Sequence, residues 1–171
     1  MNDQRTLNYQ ELNPGEDSPQ GLSTLIELMA FLKKVPLFSK LCIEELGLIA
    51  KIAREEYYPD EAVLIEEGVK NQKLYIIAQG FVELSARLLE GQQGTIGILR
   101  AANCLGEDGI FSDSPSPICA QIVMGEARII TIEGEELKHL VRLYPEIAIG
   151  LLAATSSHLH RVQRMMIKLE Q

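Results

Sequence analysis

The stretch from Leu105 to Ala120, here called the cassette, holds the residues of this chain best suited to binding chemistry. It contains Leu-Gly-Glu-Asp-Gly-Ile-Phe, then Ser-Asp-Ser-Pro-Ser-Pro, then Ile-Cys-Ala, which predicts a short helical turn, a bend and a new strand. N–H groups exposed at such a turn bind anions, and Glu107 offers an acceptor to a hydroxyl group. These features suit a phosphorylated sugar, although no Arg or Lys lies between Gly106 and Val123.

Hydrophobic periodicity divides the rest of the chain into an arm and one domain. Residues 1–20 are polar and rich in turn residues, which predicts a flexible N-terminal arm. Residues 21–171 form the predicted domain, which is of a size that one hydrophobic core supports. Its first part is amphipathic, which predicts helices over 21–37 and 42–54.

A barrel is predicted over about 55–133, because short strands there are separated by turns that contain glycine. The predicted strands are 55–58, 63–65, 73–77, 81–86, 95–99, 121–123 and 127–132. Residues 79–80 are predicted to form a turn between two of them. Helices return over about 135–171, with Pro145 opening the last one.

The last helix carries an apolar seam at alternating intervals of four and three residues, typical of a coiled coil. The seam consists of Ala148, Leu152, Thr155, Leu159, Val162, Met166 and Leu169. It predicts a homodimer through this helix, and the alternative is a helix packed only on its own barrel. Thr155 is the weakest position of the seam.

Composition and charge exclude several classes of partner. The net charge of −8 argues against direct DNA or RNA binding, because phosphate neutralisation needs a basic face. Three cysteines without motif spacing predict no disulfide framework and a reducing, cytoplasmic location. No signal-like N-terminus and no bilayer-length apolar run occur, so no membrane partner is expected.

Enzymatic chemistry is not expected either. The three histidines, His139, His158 and His160, all lie in the C-terminal helical region, so the predicted barrel strands offer no imidazole to a metal. No cysteine is spaced to act as a nucleophile with one of them. We therefore predict a non-enzymatic protein without a metal or a cofactor.

Three local strings and the order of elements resemble the cyclic-nucleotide-binding domain family, over about residues 31–171. The strings are Phe31-Leu-Lys-Lys-Val-Pro-Leu-Phe38, Tyr58-Pro-Asp-Glu-Ala-Val-Leu64 and Leu74-Tyr-Ile-Ile77. The resemblance implies an α+β fold, in which a double-stranded β-helix or jelly-roll barrel is flanked by N-terminal helices and a long C-terminal helix.

The resemblance also implies ligand-binding residues. Glu107 matches the family's glutamate that binds a ribose hydroxyl, Gly106 matches the glycine before it, and Ala120 matches the alanine that begins the next strand. The predicted ligand-binding set is Gly106, Glu107, Asp108, Gly109, Cys119 and Ala120, with Gln163 as a purine contact from the last helix. The ligand implied is a nucleotide.

The chain departs from the family pattern where the phosphate should bind. The family's arginine falls near Pro117 or Ile118, and Cys119 replaces a small hydroxyl residue with a poor donor. A turn glycine is replaced by Glu61, and Asp108 adds a negative charge. A charge-assisted hydrogen bond contributes roughly 1.5–3 kcal/mol. Because about 1.4 kcal/mol corresponds to a tenfold change in affinity, loss of this hydrogen bond predicts an affinity about 10- to 150-fold lower.

Three other arginines, Arg87, Arg100 and Arg128, are alternative cations from neighbouring strands, although each also suits an exposed surface. Bacterial family members often carry a helix-turn-helix module after the long helix, and this sequence stops at Gln171, so direct DNA binding is not expected. We predict a regulatory or sensory domain that binds a nucleotide-like ligand weakly or with altered specificity. The alternative is a ligand-free dimerisation or docking module.

Overall fold

The structure is a computed structural model that describes residues 24–87, 92–112 and 114–169, with side chains described as far as His160 except at His158. The predicted arm over residues 1–20 therefore lies outside the described residues. The side chains of the seam beyond Leu159 also lie outside them, as does that of Gln163.

Two short helices precede the sheet. Helix α1 (Leu25–Leu32) begins after Thr24, whose hydroxyl accepts a hydrogen bond from the Glu27 N–H while the Glu27 carboxylate accepts one from the Thr24 N–H, both at 3.2 Å. This reciprocal capping box fixes the start of the helix. The helix predicted to end near Leu37 ends at Leu32 instead, and the residues Pro36–Phe38 form a separate 3-10 turn.

The second predicted helix and all the predicted strands except 63–65 are found with altered bounds. The elements that follow α1 are α2 (Ile43–Ile52), β1 (Ala53–Tyr58), β2 (Val63–Ile65), β3 (Lys73–Arg87), β4 (Gln93–Leu99), β5 (Cys104–Leu105), α3 (Glu107–Ser112), β6 (Cys119–Glu133), α4 (Gly134–Leu143) and α5 (Pro145–Leu169). The sequence missed β5, because two residues carry no periodicity.

The strands form one antiparallel sheet in the order β1-β6-β3-β4, with β2 paired to β6 and β5 paired to β3. The prediction of a turn at residues 79–80 is wrong, because β3 passes through both residues without reversing. Gly80 has a φ of 96°, and a Cβ there would lie 2.7 Å from the Ala127 Cβ, so glycine is required at the point where the register between β3 and β6 shifts.

The two faces of the sheet bury two different clusters, because successive side chains of a strand point to opposite sides. The helix-facing side packs against α1, α2, α4 and α5 through residues such as Leu74, Ile76, Ile130 and Ile132. The inner face lies on the other side and is formed by Leu64, Ile65, Tyr75, Ile77, Val82, Leu105, Ala120, Ile122, Ala127 and Ile129.

The long helix α5 packs by its first half. Ile147, Leu151 and Ala154 are buried, and Leu41 lies so close to Gly150 that a Cβ there would collide with the leucine side chain. The seam residues Leu152 and Leu159 are instead 67% and 57% exposed. Among the described residues, no helix is both long and apolar enough to cross a membrane.

Candidate functional site

The cassette begins with a sharp turn that only glycine fits. Strand β5 pairs with Tyr75 and Ile76 of β3, and the chain then turns into α3 at Gly106, which has a φ of 99°. A Cβ at Gly106 would collide with the Lys73 carbonyl oxygen. The predicted helical turn entered by Gly106 is therefore confirmed, and its conformation excludes any side chain.

A residue that the sequence did not single out holds this turn. The Asn71 side-chain amide donates hydrogen bonds to the Lys73 carbonyl at 2.6 Å and to the Gly106 carbonyl at 3.2 Å. A Cβ on Gly109 would lie 2.5 Å from the Asn71 carbonyl oxygen, so α3 packs directly on this backbone. Asn71 and Gly106 are 35 residues apart, so no local pattern signals the contact.

The two acidic residues at the start of α3 have different surroundings. Glu107 is half-buried and Asp108 is exposed. Burial, together with the nearby charge of Glu107, raises the pKa of the Cys104 thiol to about 12. That thiol is therefore neutral at physiological pH.

The loop after α3 uses its polar groups to hold its own shape. The Ser116 N–H donates to the Val69 carbonyl at 2.9 Å, and the Gly68 N–H donates to the Ser116 carbonyl at 2.8 Å. The buried Ser116 hydroxyl donates to the Ile118 carbonyl at 2.9 Å. Pro117 is exposed and Ile118 is half-buried. Neither residue at the predicted arginine position carries a charge.

The end of the cassette enters β6. Ala120 is fully buried on the inner face and pairs with Leu84 and Ile65. Cys119 pairs with Ser85. Because side chains alternate along a strand, the Cys119 side chain lies on the side opposite to Ala120. The structure therefore places Gly106, Glu107 and Gly109 in one turn and Ala120 on the inner face, and the binding roles of all these residues and of Cys119 stay predictions.

Of the three alternative cations, Arg128 is held by an ion pair and the other two are exposed. The Arg128 guanidinium lies 3.2 Å from the Glu55 carboxylate, and both side chains are largely buried. Glu55 pairs with Ile130 of the helix-facing side, so Arg128 is directed away from the inner face. Arg87 and Arg100 are exposed at the ends of β3 and β4.

A second polar cluster lies along the inner face near the end of β6. The half-buried Glu56 carboxylate accepts hydrogen bonds from the Tyr58 hydroxyl at 2.5 Å and the Thr131 hydroxyl at 2.9 Å. Burial opposes ionisation, but these bonds and the charges of Lys73 and Arg54 hold the pKa of Glu56 below its usual value. Within the described part of the chain, no group of three or more acidic, cysteine or histidine side chains could hold a metal ion.

Comparison with known proteins gives a consistent result. A family model described as the cyclic nucleotide-binding domain matches residues 55–144, more than half of the chain. The cyclic AMP receptor protein of Thermus thermophilus is 27% identical over 128 residues, which is 75% of this chain and 59% of that protein. A CRP-like cAMP-activated global transcriptional regulator of Mycobacterium tuberculosis is 26% identical over 112 residues, 66% of this chain and 50% of that protein. The chain spans about half the length of the curated relatives it matches.

Solved structures show the same fold. The crystal structure of the Thermus thermophilus catabolite activator protein has a TM-score of 0.66 at 26% identity, covering 79% of this chain and 63% of that one. The N-terminal domain of a transcriptional regulator from Streptomyces coelicolor has a TM-score of 0.68 at 21% identity, covering 80% and 94%. The regulatory domain of Toxoplasma gondii PKA with cAMP has a TM-score of 0.65 at 20% identity, covering 78% and 50%.

These last two likenesses concern the fold alone, and they confirm the predicted jelly roll flanked by helices. With the glycine turn of the cassette in place and the family model matching residues 55–144, the chain belongs to the cyclic nucleotide-binding domain family.

Proposed function

We propose that this chain is a non-enzymatic sensory domain that binds a nucleotide-like ligand at the cassette, weakly or with altered specificity. Glu107 accepts a hydrogen bond from a sugar hydroxyl, and the backbone of the turn after Gly106 faces the phosphate. The observation that carries the proposal is the turn at Gly106, whose φ of 99° and close contact with the Lys73 carbonyl require glycine and so fix where α3 and Glu107 begin.

The same site supports weak binding because its charges are unfavourable to a phosphate. Glu107 and Asp108 both lie in the first turn of α3, and Pro117 and Ile118 bring no guanidinium. A short helical turn offsets only about 0.3–1 kcal/mol of the roughly 1.5–3 kcal/mol that an arginine contributes. Affinity for cyclic AMP is therefore lower than in a family member that keeps the arginine.

Calorimetric titration of the full chain with cyclic AMP and cyclic GMP tests the proposal. Binding weaker than micromolar is the expected result, and nanomolar binding of either nucleotide would contradict it. Glu107→Ala is expected to weaken whatever binding is measured, because it removes the acceptor for the sugar hydroxyl. The matched control is Glu66→Ala, which removes an exposed carboxylate in another loop.

We further propose that α5 joins two copies of the chain in the cytoplasm and that ligand binding shifts this helix between two arrangements. Leu152 and Leu159 are exposed along the seam, and the Thr155 hydroxyl donates to the Leu151 carbonyl at 2.9 Å. The polar group of Thr155 is thus satisfied within its own helix and does not oppose an apolar interface.

Light scattering at high protein concentration tests this interface. Wild type is expected to be a dimer, and Leu152→Glu is expected to give a monomer, because it places a charge in an apolar seam. Ala153→Glu adds the same charge on a different exposed face of α5 and leaves the dimer intact. A monomeric wild type would refute the interface.

The second candidate function is a dimerisation or docking module that has lost its ligand. It is favoured by the ion pair between Arg128 and Glu55, because an arginine held in this pair does not replace the missing phosphate-binding arginine. The two functions differ in the titration: a module without a ligand gives no heat with either nucleotide and no change on Glu107→Ala, yet it remains a dimer.

A further inference from the structure

Asn71 contacts the cassette through its side chain and its backbone. The side-chain amide donates to the Gly106 carbonyl at 3.2 Å and to the Lys73 carbonyl at 2.6 Å, and the Lys73 N–H donates back to the Asn71 side-chain oxygen at 3.3 Å. Both N–H donors and one acceptor lone pair of the amide are therefore used, and the amide connects the start of β3 to the start of α3.

The glycines of the cassette are shaped around this residue. A Cβ on Gly106 would lie 2.5 Å from the Asn71 side-chain nitrogen, and a Cβ on Gly109 would lie 2.5 Å from the Asn71 carbonyl oxygen. Neither distance is possible for a real Cβ, so both positions require glycine for Asn71 to remain where it is. The close approach places α3 directly on the loop before β3.

The neighbouring residue ties the same loop to the C-terminal helices. The Gly134 N–H, at the start of α4, donates to the Gln72 carbonyl at 2.7 Å. Ile110 of α3 would lie 3.0 Å from a Cβ on Gly134. Residues 71 and 72 therefore hold α3 on one side and α4 on the other.

We propose that Asn71 is a positioning residue for the ligand site. By fixing the Gly106 carbonyl, its amide sets where α3 begins, and so where the Glu107 carboxylate is presented to a sugar hydroxyl. The inference rests on the proposed function of the cassette as a ligand site, and it adds a residue that does not itself touch the ligand.

Asn71→Asp is the sharpest test, because aspartate has nearly the same size and keeps the acceptor for the Lys73 N–H. It removes only the two donated bonds and places a carboxylate near the two carbonyl oxygens. Asn103→Asp is the matched control, since the Asn103 amide donates to the Arg100 carbonyl at 2.9 Å within an exposed local turn.

Two measurements on the full chain read the effect. Amide hydrogen exchange at Ile110–Ser112 is expected to become about tenfold faster in Asn71→Asp, with little change in β1 and β6, because only the attachment of α3 is weakened. The dissociation constant for cyclic AMP is expected to rise by about tenfold. Asn103→Asp is expected to alter neither quantity.

The outcomes separate this inference from the function on which it rests. Faster exchange spread equally over β1 and β6 would show a general stabilising role and would overturn the positioning role. So would faster exchange at α3 with unchanged affinity. If wild type binds no nucleotide, the proposed function fails. Unchanged hydrogen exchange at Ile110–Ser112 in Asn71→Asp would overturn the positioning role of Asn71 whether or not a nucleotide binds.

Discussion

Replacing Ile118 by arginine tests directly whether the missing guanidinium limits the affinity of the cassette. Ile118 precedes the inner-face residue Ala120 by two positions and is half-buried, whereas Pro117 is exposed. Both residues lie in the bend immediately before β6, at the position where the family's arginine falls, and the Ile118 side chain is the one that packs partly against the domain. Ile118→Arg therefore places a cation at that position of the cassette.

The expected gain follows from the strength of one charge-assisted contact. An arginine that forms a bidentate hydrogen bond with a phosphate contributes roughly 1.5–3 kcal/mol. At about 1.4 kcal/mol per decade, the dissociation constant for cyclic AMP falls by about 10- to 150-fold. The lost burial of a half-exposed isoleucine lowers the free energy of unfolding by about 1 kcal/mol, which the domain tolerates.

Isothermal titration calorimetry at fixed, low ionic strength measures the effect, with Pro117→Arg as the control for the added charge alone. The control is expected to change affinity by less than about threefold, since an exposed charge is screened by solvent and salt. Equal gains in both variants would mean that general electrostatic attraction is responsible. No gain from Ile118→Arg in a folded protein would refute the reasoning that the missing arginine weakens binding.

Three further predictions concern stability. Gly106→Ala is expected to lower the free energy of unfolding in urea by at least about 1–2 kcal/mol, because the φ of 99° and the adjacent carbonyl exclude a Cβ; Gly97→Ala, at a site with open space, is the control and should not be destabilising. Glu61 has a φ of 65°, so Glu61→Gly is expected to raise the free energy of unfolding by about 0.5–1 kcal/mol, because the relief of backbone strain exceeds the entropic cost of glycine. An equal gain from Glu61→Ala would show that backbone strain is not the cause. The folded pKa of Glu56 lies below its unfolded value of 4.5, so its stabilising effect is present above that value and is lost as the pH falls through the lowered pKa. In urea unfolding measured at a series of pH values from about 7 downwards, the deficit of Glu56→Gln relative to wild type should shrink as the pH falls through the lowered pKa, and a deficit that does not change with pH would contradict this.

The parts of the fold predictable from sequence were those encoded by local patterns. The strand over residues 63–65 and the helical turn after Gly106 were predicted with the observed positions, because apolar runs and glycine placement act within a few residues. The expectation of a turn glycine at position 61 was also informative, since Glu61 does adopt the positive φ that favours glycine.

The remaining features depend on contacts between distant residues. The sequence pattern divided β3 and β6 into shorter strands at Gly80 and Gly125, because glycine between apolar runs usually marks a turn. Both glycines do have positive φ, but they lie within continuous strands where the register between β3 and β6 shifts. The role of Asn71 was hidden for the same reason, because its amide serves a carbonyl in a distant part of the chain.

The close contact between Gly150 and Leu41 makes the beginning of α5 a fulcrum, that is, a fixed point about which the rest of the helix can tilt. Nineteen residues separate Gly150 from Leu169 at the end of the helix, and at about 1.5 Å per residue they span about 28 Å. A tilt of about 5° at the fulcrum therefore displaces the far end by about 2.5 Å, which is comparable to the radius of a helix backbone. In the proposed dimer, a shift at the base of α5 too small to disturb the core would in this way be amplified into a change of spacing between the ends of the two helices.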